Sequence, residues 1–168
     1  MRKIYFLFFL LLVFTCFSQK KSRIERLTEK IAVAKEDTNK VNDLIILGRL
    51  TRREDYAKAN DYYNQAYKLS NKLKYVGGKI RVYNARGDYY WYQTNYDKAF
   101  EYYFKAYRLN DSIHDERGLA ESLYNLGWIG CIQQHNYSDD KYLYKSLQIT
   151  QKLGDNAGLR RACNALSS

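Results

Sequence analysis

Few side chains in this 168-residue chain could move a proton or hold a metal. Its two histidines, His114 and His135, lie 21 residues apart, with no cysteine or carboxylate at metal-ligand spacing. Asp115-Glu116 and Asp139-Asp140 are adjacent pairs. Neighbours in a helix point in different directions, so these read as capping or surface groups, not as an acid and base sharing one site. No phosphate-cradling glycine motif and no nucleophile elbow is present. Bond-making chemistry, a metal and a cofactor are therefore not expected. What remains are residue types that can hold a partner: arginine, asparagine and the two tryptophans, Trp91 and Trp128. Arginine pairs carboxylates bidentately, and indole rings cover side chains and exclude water. Asparagine can donate to and accept from a peptide backbone through its one side-chain amide.

The elements that must position these residues recur. Gly78, Gly118 and Gly158 stand forty residues apart, and Gly87 and Gly127 repeat the interval. Between them runs a tyrosine-rich cassette. Tyr56-Ala57-Lys58-Ala59 is followed by Tyr62-Tyr63, Ala66-Tyr67 and Leu69. Forty residues later stand Tyr96-Asp97-Lys98-Ala99, Tyr102-Tyr103, Ala106-Tyr107 and Leu109. A fixed period of this size marks a repeat architecture whose units stack into a long surface.

Each unit reads as two helices. Ser22 to Glu36 sets Ile24, Leu27, Ile31 and Ala34 on one stripe. Asp37-Thr38-Asn39 offers caps to a helix from about Lys40 to Arg52. Its partner covers about Asp55 to Lys74. The pair recurs as Gly78 to Gln93 with Asn95 to Ile113, and as Gly118 to Gln133 with Ser138 to Leu153. Asn156 to Leu166 starts a fourth pair. Ala59, Ala66, Ala99 and Ala106 are small enough for close helix contact, while Tyr62, Tyr102 and Tyr142 supply bulk between units. The absence of proline means that nothing forces a kink within a helix.

The first eighteen residues read differently. Arg2-Lys3 precedes an apolar run from Ile4 to Phe17, broken only by Thr15, and Cys16-Phe17-Ser18 places small residues two apart. This is the layout of a secretory signal peptide over 1–18 with cleavage after Ser18, too short to span a bilayer comfortably. Rival readings are an uncleaved anchor through 4–17, the only membrane contact expected, and a lipid-modified Cys16. Export implies a periplasmic or secreted protein and argues against a nucleic-acid partner, although 28 basic residues outnumber 18 acidic ones. Without Arg2 and Lys3 the excess is 26 against 18, a net +8, dispersed along the chain. It suggests a well-solvated surface or a preference for acidic partners. Cys131 and Cys163 are out of register by eight residues, about 12 Å along a helix axis, too far for a disulfide. Both read as small buried side chains.

Leu126-Gly127 in a first helix, with Ala99, Tyr103 and Ala106 in a second, resembles the tetratricopeptide repeat family, as does the wording from Tyr96 to Ala106. The resemblance covers about residues 38 to 168. It implies an all-α, right-handed superhelical array of antiparallel helix hairpins, with three repeats and a terminal helix. The units would be about 38–77, 78–117, 118–157 and a partial 158–168, preceded by an N-terminal helix within 19–37. The chain departs from the family in several ways. A period of forty instead of 34 implies a longer loop between units. Arg86 stands where the family prefers leucine. Asp139-Asp140 replaces a small residue, which implies a looser third unit.

In this family the first helix of each hairpin lines a concave groove. The resemblance thus implies that Arg49, Arg52, Arg53, Arg81, Asn84, Asp88, Trp91, Tyr92, Glu121, Asn125 and Trp128 face a bound peptide. The implied function is a non-catalytic scaffold for a protein or peptide, with acidic ones favoured. Alternatives are a sensory module of a bacterial signalling system and a homo-oligomer formed through the C-terminal helix. The competing reading of the groove residues is that the arginines are only solvated and the tryptophans fill gaps between units.

Overall fold

The computed structural model describes residues 22–132 and 140–166. The signal-peptide reading, His135 and Asp139 fall outside the described residues. Those described form eight helices and no strand. They are α1 (Arg23–Val33), α2 (Thr38–Thr51), α3 (Tyr56–Lys72), α4 (Val76–Tyr92), α5 (Tyr96–Ser112), α6 (Glu116–Ile132), α7 (Asp140–Lys152) and α8 (Asn156–Leu166). Consecutive helices pack as hairpins α2–α3, α4–α5 and α6–α7, with α1 before them and α8 after.

Side-chain caps fix most of the described helix starts. Ser22 and Glu25 form a reciprocal capping box at α1. Asp37, Asp55 and Asn95 accept the backbone N–H three residues on, at α2, α3 and α5. Asp115 takes the Gly118 N–H and Asp155 the Gly158 N–H, each at 3.0 Å. The helix ends repeat as well. Lys74, His114 and Gly154, forty residues apart, are all left-handed, with φ of 53°, 55° and 65°. The residue after each donates back to Ser70, Asn110 and Thr150 at 2.8–3.0 Å, closing the last turn. Thr94 (φ 56°) does the same within the second hairpin.

These joints correct the expected long loop. Residues 73–75, 93–95, 113–115 and 153–155 are the whole of their connections. The four helices α3 to α6 are each 17 residues long. The forty-residue period therefore comes from longer helices and not from a longer loop. Two such helices with two three-residue joints fill it.

The core runs along the seams. Val41, Leu47, Ala59, Tyr63, Ala66, Val82 and Ala85 are fully buried around the first hairpin. Ala99, Tyr103, Leu126 and Ile129 form the next cluster. Each hairpin closes where a first-helix glycine meets a second-helix side chain. A Cβ on Gly48 would lie 2.5 Å from Tyr63 Cε1, one on Gly87 would collide with the Tyr103 ring, and one on Gly127 would lie 2.5 Å from Leu143 Cγ. Backbone and ring thus touch face to face, a contact that only glycine permits.

Arg86 does not pack as the leucine it replaces would. Its guanidinium lies 5.7 Å from the Tyr67 ring centre and 5.4 Å from that of Tyr102, and it bonds Asn64. The rings of two neighbouring second helices hold this cation between them. The cysteines require a correction. Cys131 and Cys163 are exposed, and no disulfide joins them. The buried stripe of α8 is Gly158, Ala162 and Ala165, and Cys163 falls off it.

Candidate functional site

The first helices of the three hairpins are α2, α4 and α6. Near the ends of these helices lies a pocket of about 240 Å³. Arg52 enters it from the end of α2; Asp88, Trp91 and Tyr92 from α4; Asn125 and Trp128 from α6. Tyr103 of α5 completes the lining. α2 packs directly on α4, and α6 on α8, whereas α4 and α6 face each other across this pocket.

Its polar groups are partly committed. Asp88 Oδ1 accepts the Tyr103 hydroxyl at 2.9 Å, and Asp88 Oδ2 lies 3.5 Å from an Arg49 nitrogen. Burial and the Asp88 charge push the Tyr103 phenol well above its usual range. One unit earlier, burial raises the Tyr63 phenol to about 12, against the opposing pull of Arg52 and Arg49. The Arg52 guanidinium sits 4.1 Å above the Tyr92 ring. Trp91 meets that ring edge-on at 4.9 Å. Trp128 stacks on Tyr124 at 6.4 Å, and Arg161 of α8 lies 5.6 Å from the Tyr124 ring centre.

Six residues singled out from the sequence thus line one pocket: Arg52, Asp88, Trp91, Tyr92, Asn125 and Trp128. Arg49 joins them through Asp88. The other four lie apart. Arg81 is exposed and donates to Asn42 Oδ1 at 2.8 Å. Asn84 is buried one turn before Asp88, its Oδ1 without a hydrogen bond. Arg53 is exposed in the joint after α2, and Glu121 is exposed on α6. Arg49 is exposed and ion-paired with Asp88, and Arg52 lies over the Tyr92 ring. In the sequence Tyr103 stands only among the residues that carry the repeat resemblance, not among the groove candidates. A phenol is long enough to pack its ring beneath Gly87 and still reach the next residue, Asp88, with its hydroxyl. That juxtaposition was the available signal.

No model of a known protein family matches the chain. No curated protein matches it either. Solved structures do. One is a signal transduction ATPase with numerous domains that carries a tetratricopeptide repeat sensor, from Pyrococcus horikoshii. It aligns at TM-score 0.71 and 19% identity, over 83% of this chain and 22% of that one. Another is BtubC (BKLC) from P. vanneervenii, at TM-score 0.74 and 21% identity, over 87% of this chain and 65% of that one. The fold is a tetratricopeptide-like α-solenoid. At these identities the likeness speaks for the fold alone. The chain spans about a fifth of the first neighbour and under two thirds of the second.

Among the described residues no group of three or more histidine, cysteine, aspartate or glutamate side chains could hold a metal. No described helix is long and apolar enough to cross a membrane.

Proposed function

We propose that this chain is a non-catalytic scaffold that holds a protein or peptide along the face made by α2, α4 and α6, and that it works outside the cytoplasm. The observation that carries this reading is the pocket, where two tryptophans, a tyrosine, an arginine and an asparagine converge from three first helices. Buried aromatic and arginine anchors around a recess are what binding hot spots are made of. An α-solenoid supplies the extended surface that such recognition needs. The leader-like start, Met1 to Ser18, supports export.

The test is capture from the native envelope fraction, with the full chain expressed in its own host and a Trp128→Ala, Arg52→Ala variant beside it. A partner held by the parent and lost by the variant is expected. Partners retained equally by both would remove the groove from the account. Sequencing the N-terminus of the isolated protein tests export: Gln19 as first residue is expected, and Met1 in a cytoplasmic fraction would overturn it.

A second reading is favoured by the Pyrococcus neighbour, whose repeats are described as a sensor. In it the solenoid reports occupancy of the same groove to a separate signalling partner. Homo-oligomerisation through α8 has less support. The buried stripe of α8 is Gly158, Ala162 and Ala165, and its exposed side carries Asn156, Arg160, Arg161 and Asn164 beside the small Ala157 and Cys163. Sedimentation of the purified protein as a monomer is the expected result.

A further inference from the structure

The seam where α3, α4 and α5 meet carries four phenol rings in a row. Tyr90 and Tyr102 have ring centres 5.4 Å apart, Tyr102 lies 6.2 Å from Tyr83, and Tyr83 lies 5.6 Å from Tyr67. The last pair differs from the others. The Tyr83 hydroxyl donates to the Tyr67 oxygen at 3.2 Å, with the rings tilted by 39°. Among the described residues no other tyrosine hydroxyl is bonded to a second one.

That contact marks the ring edges that could join. When two phenols each lose an electron and a proton, the radicals couple through the carbons ortho to oxygen. The product carries its two hydroxyls side by side, which is how Tyr67 and Tyr83 already stand. Other pairs are less suited. Tyr90 and Tyr102 lie ring on ring at 7°, and Tyr56, Tyr63 and Tyr90 meet Tyr89 edge to face at 77°, 83° and 84°. Charge leans the same way. The hydrogen bond from Tyr83 holds the Tyr67 phenol below its ordinary range, and Asn71, Lys79 and Arg86 act in the same direction. A phenol that releases its proton readily also releases an electron readily. An electron lost at Tyr90 or Tyr102 can be replaced along the row from this pair.

We propose that Tyr67 and Tyr83 form an oxidative coupling site, at which hydrogen peroxide acting through a haem peroxidase joins the two rings by a carbon–carbon bond. The peroxide takes one electron and one proton from each phenol, its O–O bond breaks, and two waters leave. The two radicals form the Cε–Cε bond. The hydrogen on each bonded carbon then moves as a proton to the phenolic oxygen, which restores the ring. The link staples α3 to α4, and so the first hairpin to the second. It does not depend on the groove reading.

The intact purified protein is treated with hydrogen peroxide and a haem peroxidase, at a dilution where chains seldom meet. Dityrosine emission is followed, and the digested product is mapped by mass spectrometry. A monomer two hydrogens lighter is expected, with the Tyr67 peptide joined to the Tyr83 peptide as the main product. Tyr67→Phe and Tyr83→Phe each keep a ring and remove a hydroxyl, and each should lose most of the emission. Tyr144→Phe, at a residue 56% exposed, should lose little.

Links spread over many tyrosine pairs overturn the proposal, as do dimers joined through exposed phenols in place of the lighter monomer. Hydroxylated tyrosine without any link, or emission unchanged in both phenylalanine variants, overturns it too. If circular dichroism shows one of those variants unfolded, the other carries the test.

Discussion

The Tyr103 hydroxyl donates to Asp88 Oδ1 over 2.9 Å, which ties the floor of one hairpin to the wall of the groove above it. The Tyr103 residue is only 5% exposed, so water cannot readily replace that acceptor. Asp88→Ala should therefore cost about 1–3 kcal/mol of stability, the penalty of a buried donor left unmatched. Asp88→Asn keeps an oxygen in place and should lose less than half as much. Urea unfolding of the two variants checks this. Equal losses would mean that the hydrogen bond is not what holds the pair.

Gly87→Ala reverses the usual helix rule. In an open helix this change adds roughly 1 kcal/mol of stability, because alanine is the better helix former. Here the new methyl collides with the Tyr103 ring. Overpacking should lower stability by about 1–3 kcal/mol. Tyr103→Ala removes the ring that the methyl meets, so in its background Gly87→Ala should lose most of its cost. A melting temperature raised by the single change would show that the contact is wrongly placed.

Thr94 holds a left-handed backbone at φ 56° although it is β-branched. Such a conformation costs about 1–2 kcal/mol for a residue with a side chain. Thr94→Gly should thus stabilise the protein by up to about 1 kcal/mol, partly offset by the looser unfolded chain. His114→Gly should act in the same direction, since Gly154 already occupies the equivalent place in the next unit. Differential calorimetry that finds both variants less stable would refute the assignment of strain.

Two phenols set an upper pH limit. Burial raises Tyr63 from 10.0 to about 12, and burial followed by the neighbouring Tyr67 raises Tyr83 from 10.0 to about 12. In both cases the folded value lies above the unfolded one. Their contribution is complete below pH 10 and is lost as the pH rises from 10 towards 12. Tyrosinate absorbance and far-ultraviolet circular dichroism, followed together, should change in step over that interval. Tyr63→Phe should unfold at a higher pH than the parent. Helix content unchanged while every phenol ionises would contradict this.

Helix existence was legible because alanine, tyrosine and leucine recur at three and four, and the period showed the units to be alike. The origin of the period was not legible. Helix length is decided by where a residue turns left-handed, and Lys74, Thr94 and His114 carry no sign of it, unlike Gly154. The groove stripe was readable only through the repeat resemblance, which puts the first helices on one groove; that Trp91, Asn125 and Trp128 line one pocket comes from the structure. Which arginines are engaged could not be read. Arg52 and Arg53 are sequence neighbours just past the end of α2, yet only Arg52 lines the pocket. The cysteines misled because each adjoins truly buried residues, Gly130 beside Cys131 and Ala162 beside Cys163.

The equivalent joints at Lys74, His114 and Gly154 make the length of this molecule a separable trait. Each ends a second helix in the same way, and glycines 78, 118 and 158 each meet the previous helix at Ser70, Asn110 or Thr150. Excising residues 78–117 joins Gly77 to Gly118, so a like neighbour replaces a like neighbour across the new seam. Such a chain should still fold, with one module fewer and less cooperative melting. Unequal crossing-over within a gene of this kind can therefore lengthen or shorten the array in whole steps, and selection can act on the reach of the groove without first having to rescue the fold.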